Sequence, residues 1–351
     1  MSDVETMGSG GALRPSMLQV ALALGAVYVI WGSTYLAIRF AIETIPPFLM
    51  AGARYLTAGG LLYGWSRLRG APRPDRVHWR SAVIVGALLL LLGNGGVVWA
   101  EQRVSSGLVA LLISTEPLWI VLFVWLRSRN ERRSARPDFR TVAGLALGFI
   151  GLVILIKPGS SSGIHLAIAA VVLVASVSWA WGSLYGQRAA LPSSPLLSTG
   201  MQMLCGGGLL FLAGLLTGEP ARFALAQVST RSLLALAYLT LFGAVVAFTA
   251  YVWLLRVASP VLVSTYAYVN PVVAVFLGWA VAGEPITKGT LIAAAVILTG
   301  VALISSAQGT PSREETSAEN EERPAREVPE VGPAGGAMEA AEIEAEVCAS
   351  R

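Results

Sequence analysis

The 351-residue sequence predicts an all-helical integral membrane protein, with ten transmembrane helices in two inverted five-helix repeats. Three observations carry that prediction. Hydrophobic residues make up 55% of the chain and charged residues only 13%, against roughly a quarter charged in a soluble domain. A chain this long and this apolar has too few polar residues to cover a water-facing surface, so lipid must be its solvent. Apolar runs long enough to cross a bilayer recur along the chain, and its second half echoes its first.

A span needs about 20 apolar residues. That rule places the first five helices at 17–41, 47–66, 81–100, 105–126 and 139–156, and the second five at 164–186, 195–217, 232–255, 259–281 and 288–306. The runs must be helical, because a backbone in lipid satisfies its own hydrogen bonds as a helix or as a closed barrel. Continuous stretches such as Leu88 to Leu92 lack the alternation of barrel strands. The first run begins at Met17, is long enough to span, and reads as a membrane helix rather than a cleaved leader. Residues 1–16 form an N-terminal segment, 17–157 the first repeat, 163–306 the second, and 307–351 a tail rich in Ser, Pro, Glu and Ala. By composition the tail is disordered and acidic, an inert solvated segment or a regulatory one.

Positive residues mark the cytoplasmic side. Arg67, Arg69, Arg73, Arg76 and Arg80 follow the second span, and Arg127, Arg129, Arg132, Arg133, Arg136 and Arg140 follow the fourth. The other side of that half shows Arg103 and Lys157. Both termini are therefore expected inside the cell. The net charge of +4 sits in loops, which points to topology rather than to nucleic acid. Cys205 and Cys348 make no disulfide framework, and His78 and His165 lie in different expected loops, so neither a metal site nor a cofactor is expected.

The halves repeat one another. Trp31-Gly32-Ser33-Thr34-Tyr35 recurs as Trp181-Gly182-Ser183-Leu184-Tyr185, and Thr57-Ala58-Gly59-Gly60-Leu61-Leu62 as Cys205-Gly206-Gly207-Gly208-Leu209-Leu210. Glu116-Pro117 answers Asn270-Pro271, and Gly151-Leu152-Val153 answers Gly300-Val301-Ala302. Five helices per half is an odd number, so the second half enters the membrane from the opposite side. Inverted repeats place a binding site near the midplane and allow it to open to either side.

At these residues the chain resembles the drug/metabolite transporter superfamily with two EamA-type domains, and its wording is nearest to the YedA-like bacterial members. The Trp-Gly-Ser motifs, Glu116-Pro117, the run Tyr266 to Val275, and Gly283-Glu284-Pro285 carry the resemblance, which extends from about Leu18 to Ile304. It implies ten helices, a bacterial inner-membrane location, and transport of amino acids, metabolites or drugs, usually outward. The first half has Asn130-Glu131-Arg132 where the second has Gly283-Glu284-Pro285, so no role is carried onto Glu131.

Glu116 is the carboxylate expected at mid-membrane. Charged, it costs about 2.5–3.5 kcal/mol at that depth, so it should face a cavity or a partner. It is the candidate for proton coupling; a permanently neutral or paired structural acid is the other reading. Pro117 and Pro271 each remove a helical hydrogen bond, to the carbonyls of Ile113 and Ala267, and are expected to kink their helices. Trp31 and Tyr35, Trp181 and Tyr185, and Tyr266 and Asn270 are each four apart, hence on common faces, and are candidate substrate-binding residues; ordinary helix packing is the alternative for each. Arg54 is expected to pair with Glu116, to bind a substrate carboxylate, or to snorkel. Arg39, nearer a span end, is expected to snorkel. Asn94 is expected to line the cavity or to bond across a helix contact. Gly59, Gly60 and Gly206 to Gly208 are expected to permit close helix approach.

No phosphate-binding loop of the Gly-x-x-x-x-Gly-Lys-Ser/Thr type is present, so direct use of ATP is not expected. The expected partners are the bilayer and a small-molecule substrate. A passive channel is compatible with kinked inverted halves. A membrane-embedded enzyme would want a His/Asp or Ser/Lys cluster inside the spans, which the sequence does not offer.

Overall fold

The structure is a computed structural model, and it describes residues 16–130, 139–156, 165–258, 263 and 265–308. The chain divides into a body, Met1–Gly309, and a second unit, Thr310–Arg351, which lies outside the described residues. So do Glu131, Lys157, most of the basic loop before Phe139, and the expected start of the ninth span.

Among the described residues every regular element is helical. These are α1 Met17–Ala41, α2 Pro47–Leu68, α3 Arg76–Ala100, α4 Ser106–Ile113, α5 Glu116–Asn130, α6 Phe139–Ile156, α7 Leu166–Gly186 and α8 Pro195–Leu216. The helical run α9 comprises Thr230–Tyr238, Leu239–Ala247 and Phe248–Val257; α10 is Tyr266–Ala282 and α11 is Lys288–Gln308. Six stretches are long and apolar enough to cross a membrane: Met17–Ala41, Arg76–Ala100, Ser106–Leu126, Leu166–Gly186, Pro195–Leu216 and Thr230–Leu254. Shorter apolar helices cover Phe139–Ile154, Val269–Ala282 and Lys288–Gly300. α2 has 22 residues but is less apolar, since it carries Arg54 and Arg67. His78, expected in a loop, belongs to the first turn of α3, where its Nδ1 accepts from the Asp75 N–H at 3.1 Å.

Small residues set the deepest contacts, and they come in exchanged pairs. α2 and α8 run antiparallel. A β-carbon on Gly52 would stand 2.8 Å from the Phe211 backbone, and one on Gly200 would stand 2.7 Å from Tyr63 N. Further along, Gly59 meets Leu204 N at 2.8 Å and Gly207 meets Leu56 N at 2.8 Å. Shifting either partner of one contact by 148 positions generates the partners of the other. α6 and α11 repeat the pattern: Gly151 faces Ile297 N and Ala293 O, while Gly300 faces Gly148 N and Gly144 O. A contact that survives exchange of its two sides is isologous, the signature of a twofold axis. Backbones approach this closely only where no side chain intervenes. Gly206 also serves, against Gly86 of α3 at 2.7 Å from its nitrogen. Gly60 and Gly208 do not: no atom lies within 4 Å of a β-carbon there, and the expectation of close packing at those two is corrected.

The same shift recurs in the turns. α2 and α8 both open with a proline, Pro47 and Pro195, whose missing N–H costs nothing at a helix start. Both are followed by a left-handed glycine, Gly70 at φ +82° and Gly218 at φ +72°. α3 and α9 each widen to a π-helix, over Ala87–Asn94 and Leu239–Ala247. π-Helical segments loosen backbone bonding and often mark functional sites. Here each presents a carbonyl to a facing helix. Gly243 O accepts from the Trp31 indole of α1 at 3.2 Å, and Leu88 O accepts from Ser178 of α7 at 2.8 Å.

The turns expected on the outer side gather at one end of the bundle. Glu219 accepts from the N–H groups of Phe48 and Leu49 at 3.1 and 2.8 Å, capping α2. Glu284 caps α4 in the same manner, through Ser106 N at 2.9 Å and Gly107 N at 3.3 Å. Glu43 pairs with Arg231 at 3.4 Å, and Thr44 accepts from Ser229 N. A carboxylate at a helix N-terminus satisfies orphan donors and complements the helix dipole.

Candidate functional site: a cavity with buried polar groups between the halves

The break between α4 and α5 builds one wall of a central cavity. The sequence predicts one helix over 105–126 with a proline kink; two helices are found, separated by Ser114 and Thr115. Pro117 brings no N–H, and the two hydroxyls turn back on their own helix, Ser114 to Leu111 O and Thr115 to Leu112 O, each at 2.7 Å. The Ile113 carbonyl, freed by the proline, lies 3.5 Å from Ser176 Oγ of α7, which also sits 3.3 Å from Thr115 Oγ1. Glu116 is therefore the first residue of α5, not the middle of a helix. Pro271 acts differently, since α10 runs through it.

Glu116, 4% exposed, accepts from the Tyr266 hydroxyl of α10 at 2.6 Å. Tyr266 packs edge-on to Trp31 with ring centres 5.4 Å apart, and Trp31 also touches Tyr251 at 4.9 Å and Phe248 at 6.1 Å. Arg54, 4% exposed, donates to the Tyr55 hydroxyl and stacks 4.2 Å above the Tyr55 ring. Among the described residues its Nε and Nη1 have no acceptor, and the expected ion pair with Glu116 is absent. Snorkelling is also excluded for a guanidinium this buried. Arg39 reaches the Glu101 carbonyl at 2.5 Å.

Trp31, Tyr35, Arg54, Asn94, Glu116, Tyr266 and Asn270 all line one cavity. Its free space, counted as room for water centres, is about 80 Å³. That suits several waters or a small polar group, and it is smaller than the usual pocket for a drug-sized solute. Asn94 Oδ1, Asn270 Oδ1 and Trp179 Nε1, like the Arg54 nitrogens, are buried without a protein partner. Buried polar groups are ordinarily paired, so this concentration of orphans marks a place where a polar ligand has something to bond.

Two expected residues lie elsewhere. Trp181 is 54% exposed and packs on Phe123 of α5 at 5.3 Å, and Tyr185 packs against the apolar core outside the cavity. The reason is helical phase. Gly182 faces Leu88 and Leu89 of α3, which turns Trp181 outward and brings Trp179 inward. Trp179 stands edge-to-face with Trp31 at 6.3 Å, and the two are 148 apart, the shift of the exchanged glycines. The repeated Trp-Gly-Ser string, shifted by 150, is two residues out of register with the fold. The prolines Pro47 and Pro195 already gave the right register in the sequence. Phe248, also on the cavity wall, carried no comparable signal.

A bundle of membrane-length apolar helices that encloses a cavity with buried polar groups on a largely apolar wall fits a membrane transport protein. The sequence agrees. The chain belongs to the EamA-like transporter family, whose profile matches twice, at residues 17–157 and 166–306. It is 40% identical over 284 residues to the inner membrane transporter YedA of Escherichia coli strain K12, covering 81% of this chain and 89% of that protein. It is 26% identical to protein PecM of Dickeya dadantii, covering 78% and 88% of the two chains. A chloroplastic WAT1-related protein of Arabidopsis thaliana is 25% identical, over 80% of this chain and 68% of its own length. A crystal structure at 20% identity superposes with a TM-score of 0.57, covering 82% of this chain and 98% of its own, which shows a common fold.

Proposed function

We propose that the chain is a secondary transporter of the bacterial inner membrane, with ten spans in two inverted repeats, that exports small organic solutes by alternating access. One observation carries the proposal: a cavity of unpaired polar groups whose walls come from both halves, with Glu116 and its counterpart Asn270 on it together. The exchanged glycine contacts support the inversion, because an in-plane twofold between two halves is what makes two access states equivalent. In this reading Arg54 holds a substrate carboxylate, the aromatic side chains around Trp31 hold its apolar part, and Glu116 couples the cycle to protons. Both termini then face the cytoplasm, and the acidic tail is solvated there.

An efflux screen tests the function. Deletion and overexpressing cells are loaded with a metabolite mixture, and the medium is followed by mass spectrometry. Solutes should appear outside faster with the transporter present and should accumulate against their gradient when a pH gradient is imposed. Flux that only follows the solute gradient would instead identify a passive facilitator. Topology is tested separately by reporter fusions at Gly309 and at Gly159, which should report opposite sides of the membrane; a common side would exclude ten inverted spans. At the cavity, Trp179→Ala should weaken apparent substrate affinity about tenfold, the equivalent of about 1.4 kcal/mol. Trp181→Ala should leave it within about twofold, and equal effects of the two would contradict the register of 148.

A further inference from the structure

Glu101 directly follows α3 and shares a helix face with Asn94 and Val97, both on the cavity wall, at spacings of seven and four residues. Its side chain is 0% exposed. Among the described residues no donor reaches either carboxylate oxygen. The charged and titratable groups around it come from three other elements: Tyr35 and Arg39 of α1, Arg54 of α2, and Glu284 from the turn after α10. None neutralises it by contact. Arg39 donates to the Glu101 backbone carbonyl and Arg54 to Tyr55, so both guanidinium groups act on the Glu101 side chain only from a distance, while Glu284 accepts at the N-terminus of α4. An anion in such a place is shut off from bulk water and accepts no hydrogen bond from the described residues, and desolvation of that kind favours a carboxyl that keeps its proton.

We propose that Glu101 is a second proton-binding site of this protein, occluded one helical turn beyond the cavity-lining Val97, at the end of the bundle where Glu284 caps α4. It takes a proton as the carboxylic acid and gives it up to water when that end opens. The Tyr35 hydroxyl, on the wall of the same cavity as Glu116, is within electrostatic reach of both acids. Occlusion follows from burial: the acid has no exposed surface in this conformation, and losing the proton without opening would strand the charge. That this proton belongs to a transport cycle rests on the transporter reading above; that Glu101 holds a proton does not.

The test uses dicyclohexylcarbodiimide on the intact protein in phospholipid vesicles. The reagent consumes a protonated carboxyl buried in an apolar setting: the acid proton moves to a reagent nitrogen while the carboxylate oxygen adds to the central carbon. Peptide mass spectrometry should find the adduct on Glu101 in wild type, about tenfold more in mildly acidic than in alkaline buffer. Infrared pH-difference spectra should show a protonated-carboxyl C=O band that Glu101→Gln removes and Glu116→Gln leaves. An unlabelled Glu101 in protein whose Glu116 is labelled would overturn the proposal, as would a band unchanged in Glu101→Gln. The labelling arm needs no variant, so a poorly folding Glu101→Gln does not protect the idea. For the transport half, Glu101→Gln should shift the pH profile of the solute flux found in the screen. An unshifted profile with Glu101 labelled would sink that half alone.

Discussion

Glu116→Gln is expected to abolish flux driven by a pH gradient while leaving substrate exchange intact. The amide keeps the shape of the carboxyl and still accepts from the Tyr266 hydroxyl, now 2.6 Å from the Glu116 oxygen, but it cannot carry a proton. Driven flux should fall by about two orders of magnitude, the lower end of what losing a proton-transfer group costs. Reconstituted vesicles with an imposed gradient, against the same vesicles loaded for exchange, provide the measurement. A variant with wild-type driven flux would make Glu116 structural. Since Arg54 does not pair with Glu116, the amide strands no cation, and folding should survive the change.

Gly59→Val is expected to have the largest effect on the fold. Its β-carbon would stand 2.8 Å from Leu204 N and 2.9 Å from Gly200 O, and those are main-chain atoms that no rotamer change can move. α2 and α8 must separate, at an overpacking cost of about 1–3 kcal/mol or more, a large share of a stability of about 5–15 kcal/mol. Size-exclusion of detergent extracts should show little monodisperse protein, and what remains should melt earlier. Gly60→Ala and Gly208→Ala are the controls. Both β-carbons enter open space, and replacing a helical glycine there should be neutral or stabilising by up to about 1 kcal/mol. Equal loss from Gly59→Val and Gly60→Ala would show that the close α2–α8 contact is not what holds the bundle.

The sequence makes the class of fold plain, because apolar run length is nearly the whole of the signal in a membrane. It also marks much of the cavity, since a polar residue in an apolar run has few other places to go: Arg54, Asn94, Glu116 and Asn270 all lie there. Rotation about a helix axis is harder to read. Where a span is apolar all round, nothing in it says which side meets lipid, and the matching strings at Trp31 and Trp181 suggested a phase that Gly182 overrides. The break at Ser114–Thr115 was hidden for another reason. A proline announces a lost hydrogen bond, but whether the helix bends or stops depends on hydroxyls and on Ser176, a residue of a different helix. Glu101 stands at the end of a span, where the sequence alone gives no sign that an acid is buried. Only the packing of the surrounding elements shows that it is closed off.

The glycine seam along α2 and α8 bears on how such a molecule moves. The seam runs along the middle of both helices, from Gly52 against Phe211 to Tyr63 against Gly200, with main-chain atoms close to each of its four glycines. Main-chain atoms have no rotamers to change, so a contact at that distance leaves little room to shear. In the proposed alternating-access cycle the seam is the axle, and α1, α7 and α9, with their aromatic side chains and the π-helical turn of α9, are the parts proposed to swing around it.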